Sequence, residues 1–393
     1  MLGFFVVFSA IGGLTVRSLA RRAQATAAAL APQLASIAPK VMWGVGAVVL
    51  GGMMSARALP KGGVADALLL SSAVGFGFMS LLLAGSLLVD LAKLIDHAQR
   101  KVRSAPVADP ARRELLLGWA HLGVAGISGA LTAAGLPAAL RVPEVLTVDV
   151  PIDGLPEALS GLRIAQISDV HVGPTIRGPW LAEVVARVNS LSPDLIAVTG
   201  DLVDGDAAAL AKDVAPLGEL QAPLGVYFCT GNHEYYSGVD AWVAAVEGLG
   251  MRALLNAHVV VQHQGHAILV AGVTDYSAER MRPDHRSDPA AAIAGRATDG
   301  SLRLLLAHQP RSAFAASALD FFHLQLSGHT HGGQYAPFSF LIGLFQPFVH
   351  GLHRLGSMWI YTNRGTGYWG PPNRAGSPSE ITLLRLVPAI GRP

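Results

Sequence analysis

Cysteine is all but missing from this chain of 393 residues: Cys229 stands alone. No intrachain disulfide can form, and a single thiol leaves the redox compartment open. Charge is scarce as well. Asp, Glu, Lys and Arg together make up 14% of the chain, against about 25% in an average soluble protein, while hydrophobic residues reach 51%. The formal net charge of +2 is small and divided over both halves, so the basic stripe expected of a nucleic-acid partner is absent. The shortage of charge is uneven along the sequence. At about 150 residues per domain the length allows two or three domains, and the unevenness divides the chain into a membrane part, 1–141, and a soluble part, 142–393.

The first part holds long uncharged runs. Residues 67–89 lie between Asp66 and Asp90, long enough to cross a ~30 Å hydrocarbon core as a helix. Residues 115–140 form a second run, broken only by His121 and rich in Gly and Ala, small residues that let helices approach closely. Residues 41–56, between Lys40 and Arg57, span if their flanks snorkel, and 1–16 are shorter still. A signal peptide is disfavoured there, because basic residues follow the apolar run and no small-residue cleavage site stands out. The expectation is an α-helical transmembrane bundle of about four spans. Little in it is amphipathic, which argues against the buried helices of a soluble protein.

Loop cations set the orientation. Arg17, Arg21, Arg22 and Lys40 follow the first span, and Lys93, Arg100, Lys101, Arg103, Arg112 and Arg113 follow the third. Only Arg57, Lys61 and Arg141 follow the second and fourth. Ten against three places the first and third loops in the cytoplasm. The chain then reads as a multi-pass protein of the cell membrane with its second part on the extracytoplasmic side. A transporter is disfavoured, since His121 is the lone ionisable residue inside a span and transport sites usually need several.

Beyond residue 141 apolar runs alternate with helical spacing. Strands are expected at 146–150, 161–168, 195–199, 225–230, 302–307 and 324–327, a hairpin at 259–261 and 267–273, and helices at 180–189 and 239–249. Residues 276–300 have no clear period and suit a variable loop. This alternation argues for an α/β layered domain, in which sites form where strands end along one edge. Five strand ends carry polar motifs: Asp169-Val170-His171, Gly200-Asp201-Leu202-Val203-Asp204, Gly231-Asn232-His233-Glu234, His308, and Gly328-His329-Thr330-His331. Any one histidine is more often a satisfied strand-end residue than a ligand. Together the motifs assemble carboxylates, an amide and imidazoles without a thiolate, a donor set that suits Mn, Fe or Zn better than Ca or Mg. The set is too large for one ion, and two ions bridged by a carboxylate would use it fully.

These five stretches, in this order, resemble the calcineurin-like metallophosphoesterase superfamily, with its D-x-H, G-D-x-x-D, G-N-H-[DE], lone H and G-H-x-H. The resemblance covers about residues 145–388. The wording around the motifs (Gln-Ile-Ser-Asp-Val-His, Gly-Asn-His-Glu-Tyr-Tyr, Leu-Ser-Gly-His-Thr-His-Gly-Gly-Gln and Tyr-Thr-Asn-Arg-Gly-Thr-Gly) is similar to the membrane-anchored subgroup of YkuE and YaeI type, phosphodiesterases grouped with the transmembrane protein with a metallophosphoesterase domain. It implies two facing mixed β-sheets flanked by helices, with two metals at one edge. It further implies that Asp169, His171 and His331 hold one metal and Asn232, His308 and His329 the other, with Asp201 bridging. His233 is then no ligand but the catalytic group that bonds the phosphate and helps the leaving oxygen depart.

The implied activity is metal-dependent phosphoric ester hydrolysis, a diester rather than a monoester, by a hydroxide that two divalent or trivalent ions (Mn, Fe or Zn) share. Asp204 and Glu234 are expected to support the ligands, and Arg364 reads equally as a phosphate contact or a structural arginine. Residues 336–351 are strongly apolar: either a buried connection to the last strands, or a lip facing the bilayer that presents a lipid-linked phosphoester. The expected partners are thus a phosphate ester, lipids included, and the bilayer, with no nucleic acid. The rival class is a metal-binding sensor or interaction module without turnover, against which the intact His233 speaks.

Overall fold

A computed structural model of the chain describes residues 2–58, 63–103, 109–296 and 299–389, with the side chains of 1–11 and 56–62 left aside. Most of the first expected span, together with Arg57 and Lys61, therefore lies outside the described side chains. The backbone divides into two compact units, Met1–Pro137 with Gly370–Ala375, and Ala138–Trp369 with Gly376–Pro393.

The first unit contains α1 (Leu2–Leu30), α2 (Ala38–Ala58), α3 (Gly63–Arg103) and α4 (Pro110–Leu140). Val16 and Leu19 of α1, Val49 of α2, and Met79 and Leu82 of α3 form its apolar cluster. Among the described residues, α3 and α4 are long and apolar enough to cross a membrane, and α1 and α2 do not meet that test, so two of the four expected spans have this support. The helices also outrun their apolar stretches. Residues 21–30 of α1 are rich in Ala and Arg, strong helix formers, and continue the helix to Leu30. At 1.5 Å per residue the 41 residues of α3 reach about 60 Å, twice a hydrocarbon core. Several cations expected in loops therefore sit on helix extensions: Arg22 pairs with Asp90 and Arg100 with Asp96.

Among the described residues the second unit has twelve strands: β1 (Glu144–Ile152), β2 (Arg163–Ile167), β3 (Leu195–Val198), β4 (Val226–Phe228), β5 (Arg252–Ala253), β6 (Ala257–His263), β7 (His266–Gly272), β8 (Leu302–Leu306), β9 (Leu324–Ser327), β10 (Gly351–Leu355), β11 (Met358–Thr362) and β12 (Glu380–Pro388). They form two six-stranded mixed sheets, ordered β1-β12-β2-β3-β4-β5 and β10-β11-β9-β8-β7-β6. β3, Leu-Ile-Ala-Val, is buried on both faces, which is why it reads as an unbroken apolar run. One face of each sheet meets the other in a shared core: Ile164, Leu195 and Tyr227 from the first sheet, Ile268, Leu304 and Tyr361 from the second. On its outer face the first sheet is covered by α5 (Gly178–Ser190), α6 (Ala207–Val214) and α8 (Val239–Gly248), through Val184, Leu210 and Trp242. The short α7 (Asn232–Ser237) precedes α8.

Parallel pairing aims the chemistry. β2, β3 and β4 run parallel to one another, as do β8 and β9, so the residues that follow these strands emerge together. The C-terminal β12 inserts between β1 and β2, parallel to the one and antiparallel to the other. The segment 336–351 is not the buried connection considered above. Phe340 is 81% exposed, Leu344 76% and Phe345 69%, because two short helical turns at Phe338–Leu341 and Ile342–Leu344 carry it outward instead of into either core.

Leu304→Ala, in the layer between the sheets, should cost about 2–5 kcal/mol, whereas Leu146→Ala, 38% exposed on β1, should cost less than about 1 kcal/mol. Urea unfolding of the detergent-solubilised chain, followed by tryptophan fluorescence, measures both. Equal losses would contradict the assigned core.

Candidate metal centre

β2, β3 and β9 hand over to their polar motifs through a backbone that most side chains avoid. Asp169, His171, Asp201, His329 and His331 all have positive φ, between 51° and 72°. Non-glycine residues adopt this region at a cost of order 1–3 kcal/mol each, and clusters of them mark functional loops. Neighbouring glycines make room for the carboxylates. A Cβ on Gly231 would lie 2.2 Å from Asp201 Oδ1, and one on Gly328 would lie 2.1 Å from Asp169 Oδ2. The Gly-Asn-His and Gly-His-x-His spacings thus have a steric cause.

Among the described residues three overlapping groups of buried or half-buried ligand-type side chains result: Asp169, His171 and His331; His171, Asp201 and His233; Asp201, His308 and His329. Within each group the candidate donor atoms lie within 4.8 Å of one another. His171 and Asp201 each belong to two groups. His308 Nε2 is 3.1 Å from Asp201 Oδ2, His331 Nε2 is 3.4 Å from Asp169 Oδ1, and His171 Nε2 is 4.0 Å from Asp201 Oδ2. Ring nitrogens face ring nitrogens: His171 Nε2 and His331 Nε2 are 3.1 Å apart, and His329 Nδ1 and His308 Nε2 3.2 Å. Two neutral imidazoles aimed lone pair to lone pair repel unless a proton or a cation sits between them. The Asn232 side-chain oxygen is buried without a hydrogen-bond partner among the described residues, a further donor atom left over. This set fits a divalent metal site.

Surrounding groups fix the orientations. His308 Nδ1 donates to the Thr199 carbonyl at 2.8 Å, which leaves Nε2 free to face the cluster. Asp204 accepts from His171 Nδ1 at 3.2 Å and from His233 Nδ1 at 2.5 Å, so one carboxylate orients two imidazoles. Glu234 accepts from the backbone N–H of Asp201, Leu202 and Gly231, at 3.0, 2.8 and 2.6 Å. It therefore holds the Asp201 loop rather than a histidine. Asp169 accepts from His329 N at 2.9 Å, tying the first motif to the last.

Electrostatics follow from burial. Desolvation would push the Asp201 carboxyl up, but the His308 charge and hydrogen bond, with His233 and His171, hold it well below the ordinary carboxylate range. Burial raises Asp169. It also raises Glu234, to about 7, helped by the Asp201 charge. Burial and the His308 charge lower His329 to about 4. Burial disfavours the His233 cation, yet the Asp204 hydrogen bond and the charges of Asp201 and Asp204 outweigh it and lift His233 to about 9.

All eight residues singled out from the motifs, Asp169, His171, Asp201, Asn232, His233, His308, His329 and His331, lie at the ends of these strands, seven of them in the three groups and Asn232 beside His233 at the start of α7. Arg364 donates to the buried Glu380 at 2.7 Å, a structural pairing. Tyr236 and Trp369 were not singled out. Both meet the His233 ring edge-on, with centroids 5.2 and 5.7 Å away, and both are more than half exposed. Gln334 fixes Trp369 by bonding its backbone N–H and carbonyl, each at 2.8 Å. Tyr236 adjoins a motif and was findable. Nothing local marks Trp369.

The sequence profile of calcineurin-like phosphoesterases matches residues 162–333, the span from β2 to the second histidine of the last motif. Over 229 residues the chain is 31% identical to a metallophosphoesterase of Aquifex aeolicus, covering 57% of this chain and 85% of that protein. The chain belongs to the calcineurin-like phosphoesterase family. It is also 40% identical over 270 residues to a transmembrane protein with metallophosphoesterase domain of Danio rerio, covering 67% of this chain and 62% of that protein. With the metallophosphoesterase YkuE of Bacillus subtilis it shares 30% identity over 273 residues, 66% of this chain and 92% of that one. The chain thus spans about three-fifths of the zebrafish relative. Two apolar helices and relatives named as transmembrane proteins suggest membrane association for this chain.

The His233–Asp204 pair carries a pH signature. A folded pKa of about 9, above the ordinary ~6.5, means that its stabilisation is complete below pH ~6.5 and is lost as pH rises through about 9. In the metal-stripped protein the His233 ring should titrate near 9 by NMR, and Asp204→Asn should bring it down toward 6.5. A wild-type midpoint below 6.5 would contradict the pairing.

Proposed function

We propose that this chain is a membrane-anchored dimetal phosphodiesterase. The observation that carries the reading is the overlap of the three groups: Asp201 stands with His308 and His329 in one, and is linked through His171 to Asp169 and His331 in another, the arrangement a bridging carboxylate requires. Asp169, His171 and His331 would hold one cation, Asn232, His308 and His329 the second, and Asp201 would serve both. Imidazole, amide and carboxylate donors favour Mn, Fe or Zn. Bound there, such ions supply an activated water and offset the charge that develops on phosphoryl oxygens.

The remaining work belongs to side chains. His233, locked at Nδ1 by Asp204, keeps Nε2 toward the cluster, 4.0 Å from Asp201 Oδ2. In the metal-free protein burial opposes its cation but the Asp204 hydrogen bond and the nearby carboxylates outweigh it, and in that protonated form it would bond a phosphate oxygen and give a proton to the leaving oxygen.

Membrane anchoring rests on α3 and α4, with α1 and α2 as further spans of a multi-pass bundle. The excess of Lys and Arg after the first and third spans orients the bundle in the cell membrane so that the phosphoesterase unit is extracytoplasmic. A tethered enzyme suits a substrate held in the same bilayer, so a lipid-linked phosphodiester is the favoured class.

The full chain in detergent, stripped and reloaded with Mn, Zn or Fe, should hydrolyse bis(p-nitrophenyl) phosphate faster than p-nitrophenyl phosphate. His233→Ala and Asp201→Asn should each lower kcat/KM by about 10²-fold or more. Tight metal binding without turnover of either ester would replace the enzyme with a metal-binding interaction module.

A further inference from the structure

The loops that carry the candidate ligands also hold up an exposed apolar finger, 337–348. Its base is fixed from two sides. Thr330, between His329 and His331, donates to the Val349 carbonyl at 2.5 Å. A Cβ on Gly333 would lie 2.3 Å from Ser339 Cα, so the finger backbone packs directly on the ligand loop, and Ser339 N bonds the Tyr335 carbonyl at 3.1 Å. Arg311, three residues past His308, donates to the Phe345 carbonyl at 2.6 Å. At the far side Phe348 packs into the outer core of the second sheet.

Between these anchors the tip turns its apolar side chains outward: Phe340, Leu341, Leu344 and Phe345 are 46–81% exposed. No Asp, Glu, Lys or Arg occurs from residue 321 to residue 353. An uncharged, aromatic-rich tip of this kind is costly in water and gains free energy in an acyl layer. At its base Arg311 has no ion pair among the described residues, and its guanidinium lies over the Tyr276 ring. A cation with an aromatic below an apolar tip complements the phosphate level of a bilayer.

We infer that residues 337–348 insert into the lipid bilayer and hold the metal centre against it, so that the phosphodiester hydrolysed is one presented by a lipid headgroup. This rests on the phosphodiesterase reading for its substrate, but the insertion is measurable without turnover. The occupant is the bilayer because the same chain carries α3 and α4, long and apolar enough to cross one, and because the tip offers no charged group with which a protein partner would pair.

The test uses the full chain in phosphatidylcholine nanodiscs. Cys229 is fully buried, so Leu344→Cys takes an environment-sensitive dye selectively, with Gln264→Cys on the exposed β6–β7 turn as control. Doxyl-labelled lipids should quench the dye at 344 and not at 264. Phe340→Ser with Leu344→Ser should lower turnover of a nanodisc-borne phosphodiester lipid about tenfold or more and leave bis(p-nitrophenyl) phosphate turnover within about twofold. An unquenched dye at 344 overturns the proposal, and so does a dye shielded from water yet unquenched, which a second copy of the chain would cover. Quenching without any diester turnover keeps the finger and sinks the phosphodiesterase reading.

Discussion

One buried carboxylate organises the second unit. Asp201 is 3% exposed, accepts from the His233 backbone N–H, and has His308, His171 and His233 ring nitrogens within 4.0 Å. A carboxylate buried this deeply is costly unless positive charge surrounds it. Three imidazoles meet part of that need, and cations beside Asp201, one with His308 and His329 and one with His171, would meet the rest. Everything else in the unit follows from bringing loops of two separate sheets to this one group. The strands beneath are apolar and rigid, and the loops above are strained and polar.

The strain and the rigidity belong together. Five ligand-type residues in the left-handed region destabilise the fold, and the layered core offsets that cost. Glu234, with three backbone N–H bonds, and Asp204, with two imidazoles, keep the loops in place without touching a substrate. Glu234 on α7 bonds Gly231 three residues away, but it also reaches Asp201 and Leu202, and Asp204 on the turn after β3 reaches His171 and His233, so these two carboxylates tie separate motifs to one another.

Legibility ends where long-range geometry begins. The order of polar groups after β2, β3, β4, β8 and β9 is written in short stretches, and the α/β alternation follows from apolar runs such as Leu195–Val198. The insertion of β12 between β1 and β2 depends on pairing across more than two hundred residues and leaves no local trace. α1 and α3 outrun the apolar runs that mark their spans, because helix propensity, not hydrophobicity, carries them on. Trp369 reaches His233 only through Gln334. An apolar stretch such as 336–351 has the same composition whether it lines a core or faces outward. Only its anchoring by Thr330, Gly333 and Arg311 distinguishes the two.

The most direct test of the central claim is the electron paramagnetic resonance of the full chain loaded with Mn(II), alongside its metal content. Two ions per chain with an exchange-coupled signal, converted by Asp201→Ala to the signal of isolated ions, is the expected result. One ion per chain, or two that never couple, would contradict the shared carboxylate on which the site is built.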